Sequence, residues 1–265
     1  RWAHYPAVAA CAINLLWSGQ AEVMDLGVEH GPHVSRQRLP RLTASGPQTQ
    51  PRSVYYDTPA HGVMVIFYLD AWYRLVGRSP GVLSDQLVDA QSVLPTDMLQ
   101  VCDALIQTGT DEERIHRFFD ALGLLWQRRM AQAGGARWVS EEWSKALSPW
   151  IESLALRAAA TGLGRSVRQS ERRIKQWTGW SLRRLQGVVR GEAVFFAVMS
   201  ALMDDRLNWT EIALDHGFSD QSHFIREVRR LTGFSPQVLR HGILNEEAFW
   251  SYRAWANLAG YTVTV

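Results

Sequence analysis

Gln221, Ser222, Ile225, Arg226 and Arg229 fall on one side of a helical projection, and Phe224, Val228 and Leu231 fall on the other. Amide and guanidinium groups presented together can form paired hydrogen bonds to base edges, and arginine also suits phosphate. The apolar side needs a floor, which Ile212, Ala213 and Phe218 can supply. Thr210–His216 reads as a short helix that stops at Gly217. Ser219 is expected to cap a second helix running from Asp220 to about Leu231. Two short helices joined by a tight glycine turn make a helix-turn-helix whose second member is the reader.

A weaker copy precedes it, from Glu152 to Trp180. Its first helix runs through Ala158–Ala160, its turn lies near Gly164, and its second helix covers about Val167 to Trp177. Gly164 and Gly179 are 15 positions apart, Gly217 and Gly233 are 16 apart. Each copy closes with Thr-Gly-aromatic-Ser: Thr178-Gly179-Trp180-Ser181 and Thr232-Gly233-Phe234-Ser235. Repetition of a unit too small to hold its own core argues for paired modules. Leu182 to about Asp204 is long enough for one connecting helix, in spite of Gly187 and Gly191.

The charge pattern agrees. Residues 1–136 carry 11 basic and 13 acidic side chains, residues 137–241 carry 16 and 11, and 14 of those 16 are arginine. The positive excess thus sits with the two copies. Composition, with 46% hydrophobic and 20% charged residues, is that of an ordinary globular protein, and 265 residues suffice for two domains. The apolar runs Val63–Leu69 and Ala193–Met199 are too short to cross a bilayer, and the N-terminus does not read as a secretory signal, so a cytoplasmic protein is expected. Cys11 and Cys102 have no metal-ligand spacing and read as inert thiols in a reducing compartment.

The first half looks strand-rich. Ala9–Trp17 and His61–Leu69 are apolar runs of strand length, and residues 30–52, with their prolines, read as loops between short strands. Asp70–Val76 reads as one or two helical turns closed by Gly77 and Pro80. Helices are then expected over Asp97–Gln107 and Asp111 to about Met130. In the second, Ile115, Phe118, Phe119, Leu122, Leu125 and Trp126 share one broad face, and Thr110 with Glu113 fits a capping box. The Gln-Ala-Gly-Gly-Ala stretch from Gln132 marks a linker, which puts the boundary near residue 136. The expected fold is two-domain α+β: a strand-rich N-terminal domain with C-terminal helices (1–136), then an all-α double helix-turn-helix domain (137–242) with units at about 152–180 and 209–236. A docked helical tail (243–265) follows, its Phe249, Tyr252 and Trp255 at helical spacing.

The segment from about Trp143 to Arg240 resembles the DNA-binding domain of the AraC family of transcription regulators. The resemblance is carried by Gly217-Phe218-Ser219-Asp220-Gln221-Ser222-His223-Phe224, by Arg226, and by Gly233-Phe234-Ser235-Pro236. In the first unit Arg168-Gln169-Ser170-Glu171-Arg172-Arg173-Ile174 is similar to the family pattern, but Ser170 replaces a usual apolar residue and Leu182 a frequent proline. His4–Trp17 and Val65–Asp89, including Phe67-Tyr68-Leu69-Asp70-Ala71-Trp72, are fainter likenesses to the sensory domains that precede such units.

The resemblance implies that each reader helix enters a major groove of double-stranded DNA. Gln221 then suits adenine N6/N7, Arg226 guanine O6/N7, and Ile225 a thymine methyl, while Ser222 or His223 reads an edge or positions a phosphate. On the first helix Arg168 and Arg172 are the best base or backbone candidates, and Glu171 could accept from cytosine N4. Arg173, Lys175, Arg229 and Arg230 are assigned to phosphate or solvent.

The resulting expectation is a sequence-specific transcription regulator, open to control by a small organic effector, able to contact RNA polymerase as an activator, and compatible with a homodimer. A module that binds protein instead of DNA is the alternative. No catalytic residue, metal or cofactor is assigned. His4, His30, His33 and His61 show no ligand spacing, and no nucleophile elbow, phosphate loop or zincin motif is present, so the chain does not read as an enzyme.

Overall fold

The computed structural model describes residues 1–24, 36–57, 59–132, 151, 154, 158, 167–203, 209–215 and 218–258. The expected linker and boundary near residue 136 lie outside them, as do the turn at Gly164, His216 and Gly217. Eight strands among the described residues of the first 89 bear out the strand-rich reading. β1 (Trp2–Tyr5), β6 (Arg52–Tyr56), β3 (Ala21–Met24) and β4 (Arg36–Arg38) make one sheet in that order. β7 (His61–Tyr68), β2 (Ala10–Ser18), β5 (Leu42–Ser45) and β8 (Leu87–Asp89) make the other. Every pairing is antiparallel.

Period-two alternation sets the two faces of the second sheet. Cys11, Ile13 and Leu15 of β2, Ala44 of β5 and Phe67 of β7 are buried in one core with the helices that follow. The opposite side of β2 and β5 carries Asn14, whose Nδ2 donates to Thr43 Oγ1 at 3.3 Å. α1 (Leu69–Val76) continues directly from β7 and stops at Gly77, whose φ of 76° is readily adopted only without a side chain. α2 (Thr96–Ile106) and α3 (Asp111–Gln132) pack as a pair. The capping box forms: Glu113 N–H donates to Thr110 Oγ1 at 3.3 Å, and Thr110 N–H donates to Glu113 Oε2 at 2.9 Å. The apolar face of α3 is narrower than expected. Phe118 and Leu125 are buried, whereas Phe119 is 48% exposed, because only one strip of the helix meets α2 and α1.

The described residues of the second half are helical. α4 (Val167–Thr178) and α5 (Leu182–Met203) are followed by α6 (Trp209–Asp215), α7 (Gln221–Thr232) and α8 (Pro236–Asn245). A 3-10 turn (Glu247–Phe249) and α9 (Trp250–Leu258) follow. Leu182–Met203 is one helix, as the connecting-helix reading requires. Gly191 explains itself, since a Cβ there would lie 2.6 Å from Leu231 Cδ1, so glycine lets α5 approach α7. Gly187 has no such neighbour.

The first core does not stop at the N-terminal half. Ile151, Leu154, Ala158, Ile174, Trp180 and Leu185 belong to the same cluster as Trp72, Leu83 and Met98. Trp180 is the main link: it is buried, its Nε1–H donates to Ser84 Oγ at 3.0 Å, and the Arg184 guanidinium lies 4.1 Å from its ring. Beside it Gly81 and Gly179 touch backbone to backbone, so that a Cβ on Gly179 would sit 2.3 Å from Gly81 Cα. Gln176 Nε2 also donates to the Tyr73 hydroxyl at 3.1 Å.

Trp180→Ala should therefore lower stability by about 3–5 kcal/mol in denaturant titration, as for other buried aromatics. Gly81→Ala should destabilise in the same direction. Gly187→Ala should raise stability by about 0.5–1 kcal/mol, because the helix gains and nothing is displaced.

Candidate nucleic-acid interface

α7, expected to be the reader helix of the second unit, is fixed at both ends. Its cap is Asp220, not the expected Ser219. The Asp220 carboxylate accepts the His223 N–H at 2.7 Å, and the Ser219 hydroxyl donates to Asp220 Oδ2 at 3.1 Å. Aspartate wins because its carboxylate meets free N–H groups at the positive end of the helix. Those bonds, the His223 N–H first, hold the Asp220 carboxyl below the ordinary aspartate range. The far end stops at Gly233, with φ of 81° and its N–H donating to Arg229 O. Thr232 Oγ1 lies 2.8 Å from Val228 O and accepts the Phe234 N–H at 3.2 Å.

Phe224, Val228 and Leu231 are buried, as their spacing predicts, and Phe224 and Val228 pack with Ala213 in a second core. Ser222, His223, Arg226 and Arg229 are exposed. Gln221 is half-buried, with its Oε1 accepting from Thr210 Oγ1 at 3.4 Å, and Ile225 is half-buried against the second core. The His223 ring lies against Phe218 at 5.2 Å. Arg230 is engaged: its Nε and guanidinium nitrogen donate to the two Glu227 oxygens at 2.9 and 2.6 Å, which lowers the Glu227 pKa and raises that of Arg230.

On α4, Arg168, Glu171 and Arg172 are exposed together with Gln169 and Lys175, while Ile174 is buried and Ser170 half-buried. Arg173 donates to Ala158 O at 2.9 Å, which ties the reader helix to the helical residue before it. The closing turn repeats that of α7: Thr178 Oγ1 donates to Ile174 O at 2.7 Å and accepts the Trp180 N–H at 3.1 Å. Both units therefore leave a polar, arginine-bearing face outward and bury the opposite one.

A second site was not legible in the sequence. A cavity of about 780 Å³ lies between the two sheets, lined by Tyr5, Asn14, Thr43, Gln48, Val54 and Tyr56 among others. The Tyr5 and Tyr56 hydroxyls share a hydrogen bond of 2.8 Å, and burial raises the pKa of both. Gln48 Oε1 is buried without a partner among the described residues. The four histidines do not form a described cluster. His30 and His33 lie outside the described residues, His4 meets Ser53, Phe234 and Phe249, and His61 meets Asp111 and Trp17. Among the described residues no group of three His, Cys, Asp or Glu could hold a metal, and no helix is long and apolar enough to cross a membrane. Cys11 and Cys102 are buried free thiols, and burial pushes Cys102 up to about 12.

Residues 159–242 match the family model described as a helix-turn-helix domain. The match agrees with the AraC-type motifs of the same segment. Solved structures with a similar outline include ToxT from Vibrio cholerae, at 12% identity over 91% of this chain and 93% of that chain, with a TM-score of 0.37. The unsaturated fatty acid-bound wild-type ToxT from strain SCE256 gives 11% identity, 91% of each chain and 0.37. No curated protein sequence matches.

The His4 ring sits where β1 meets Phe234 and Phe249, and burial lowers its pKa while Glu246 opposes the shift. Its folded form resists a proton that the unfolded chain accepts, so its contribution is present above about pH 6.5 and is lost as pH falls below it. The drop in Tm between pH 7 and pH 5 should be smaller in His4→Gln than in the parent chain.

Proposed function

We propose that the chain is a sequence-specific, double-stranded DNA-binding regulator of transcription, with residues 137–242 as the reader part and residues 1–136 as the sensing part. The observation that carries this reading is the paired, outward polar face of α4 and α7. On α4 Arg168, Arg172 and Glu171 stand clear of the protein, and on α7 Ser222, His223, Arg226 and Arg229 do so. Arg226 reads guanine, Gln221 adenine and Ile225 a thymine methyl; Arg229 contacts phosphate. The 22 residues of α5 span about 33 Å at the α-helical rise, close to the repeat of about 34 Å between successive major-groove faces of B-DNA. Two readers on one chain grip DNA without a partner, and a homodimer adds a second pair. The chain works in the cytoplasm and, as an activator, alongside RNA polymerase.

Selection from random duplex DNA at near-physiological salt should return a bipartite site with its halves about one helical turn apart. Arg226→Ala should relax one position of the second half and cost about 1–3 kcal/mol, and Arg172→Ala should act only on the first half. Enrichment of nothing, with no salt-dependent DNA complex, would favour the protein-binding module instead.

The cavity between the sheets is the seat of a small organic effector. Its volume lies inside the ordinary range of about 300–1,000 Å³ for ligand pockets, and its mixed lining of Tyr5, Tyr56 and Val54 with Asn14, Thr43, Gln48 and Arg52 suits an apolar body with polar substituents. Anilinonaphthalene sulfonate, which has that make-up, should fluoresce on binding, and Val54→Trp should abolish the signal by filling the space. Undiminished fluorescence in that variant would place dye binding elsewhere.

A further inference from the structure

One segment belongs to both the cavity and the second unit. Glu246, Glu247, Ala248 and Trp250 line the cavity, and the Trp250 ring meets Tyr5 at 5.7 Å, edge to face. Tyr5 is in turn hydrogen-bonded to Tyr56 inside the cavity. The same few residues hold the far end of α7. Phe249 packs on Phe234 at 4.9 Å and fills the space that a Cβ on Gly242 would need. Tyr252 is fully buried, and its hydroxyl donates to Thr232 O, the last residue of α7, at 2.8 Å. Strand β1 runs beside the segment: Ser251 Oγ–H donates to His4 O, and the Arg1 guanidinium pairs with Glu247 at 2.6 Å. Just past β1, the Ala7 N–H donates to Leu231 O in the last turn of α7 at 2.8 Å.

The first unit is reached less directly: Arg52, which lines the cavity, donates to Asp85 O beside Ser84, one residue short of the contact with Trp180. It docks through Trp180 on Ser84, Gly179 on Gly81 and Gln176 on Tyr73, and none of these six residues lines the cavity. Its core is shared with α1 and with β2, β5 and β7, where Leu15 and Val63 are common to the core and the cavity wall. The two reader helices are therefore mounted differently on one support.

We propose that residues 246–258, together with β1, form a strap that transmits the state of the cavity to the second reader helix more directly than to the first. This deepens the effector reading above and rests on it. A ligand that displaces Trp250 or Tyr5 moves Phe249 and Tyr252, which loosens or tightens the end of α7. Because α4 is anchored elsewhere, the ligand changes how the two halves of a DNA site are read relative to each other, beyond total affinity.

The test is amide hydrogen exchange followed by mass spectrometry on the full chain, with neither DNA nor effector present. Its outcome is therefore separable from that of the DNA selection and of the dye titration. Tyr252→Phe should speed exchange in the last turn of α7 about fivefold, the ratio that loss of one neutral hydrogen bond corresponds to. Trp250→Ala, placed at the cavity and not on α7, should accelerate α7 in the same direction while α4 stays at the parent rate. Trp250→Leu repeats the measurement with a smaller loss of packing. An unchanged α7 in both Trp250 variants, or α4 and α7 accelerating together in both, overturns the proposal.

Discussion

The governing constraint is that neither helix-turn-helix unit can bury enough apolar surface by itself. A module of two or three short helices exposes most of what it could pack, and small units need an external partner for their core. The chain meets this need twice, in different ways. The first unit takes its core from the N-terminal half, where Trp180, Ile174 and Leu185 join Trp72 and Met98. The second takes its core from the tail, where Phe249, Tyr252 and Ala256 join Phe224 and Val228. α5 runs from one core to the other, with Leu185 in the first and Val194, Val198 and Met199 in the second. The distance between the readers and the support for each thus follow from a single shortage of apolar area.

That shortage also explains what could be read from the sequence. The elements with a buried face are legible: β2 and β7 as apolar runs of strand length, α3 and α7 from the spacing of their apolar residues, and α1 and α5 from their bounding signals and length, all close to their observed spans. The Thr110–Glu113 box and the two Thr-Gly-aromatic-Ser turns were legible because their hydrogen bonds are local. Which surface covers each face is a long-range fact, and the sequence carries little trace of it. Phe119 sits beside Phe118 in the chain and yet stays exposed, since only the tertiary partner decides how wide the covered strip is. Gly191 looked like a weakness in a connecting helix and is a point of close approach to Leu231. The cap of α7 could have been found, since Asp220 immediately precedes Gln221; a serine beside it offered an equally plausible cap, and the stronger acceptor took the place.

The candidate DNA-contacting residues divide along the same line. Residue type and helical side were readable, and they put Arg168, Arg172, Ser222, Arg226 and Arg229 outward. Whether an arginine is already engaged was not readable. Arg230 is held by Glu227 three residues earlier, Arg173 by the carbonyl of Ala158, and Arg184 lies over the Trp180 ring. These three spend their guanidinium groups on building the units. The charge excess of residues 137–241 therefore overstates what is offered to a polyanion, and the exposed set on α4 and α7 is the better measure.

The engaged arginines also show why the two mounts differ in kind. Arg184 on Trp180 lies at the boundary between the first unit and the N-terminal half, next to a backbone contact at Gly81 and Gly179 that tolerates no added atom. Such a contact is stiff, because close-packed backbone has one arrangement and no side chain to repack. The second mount is made of rings, His4, Phe234, Phe249 and Trp250, together with hydroxyl bonds from Ser251 and Tyr252. Ring contacts of this type have several offset and edge-on geometries of similar energy. A support stiff at one reader and adjustable at the other, with the adjustable side bordering the cavity, is what a regulator needs if a ligand is to reset one half-site against a fixed reference.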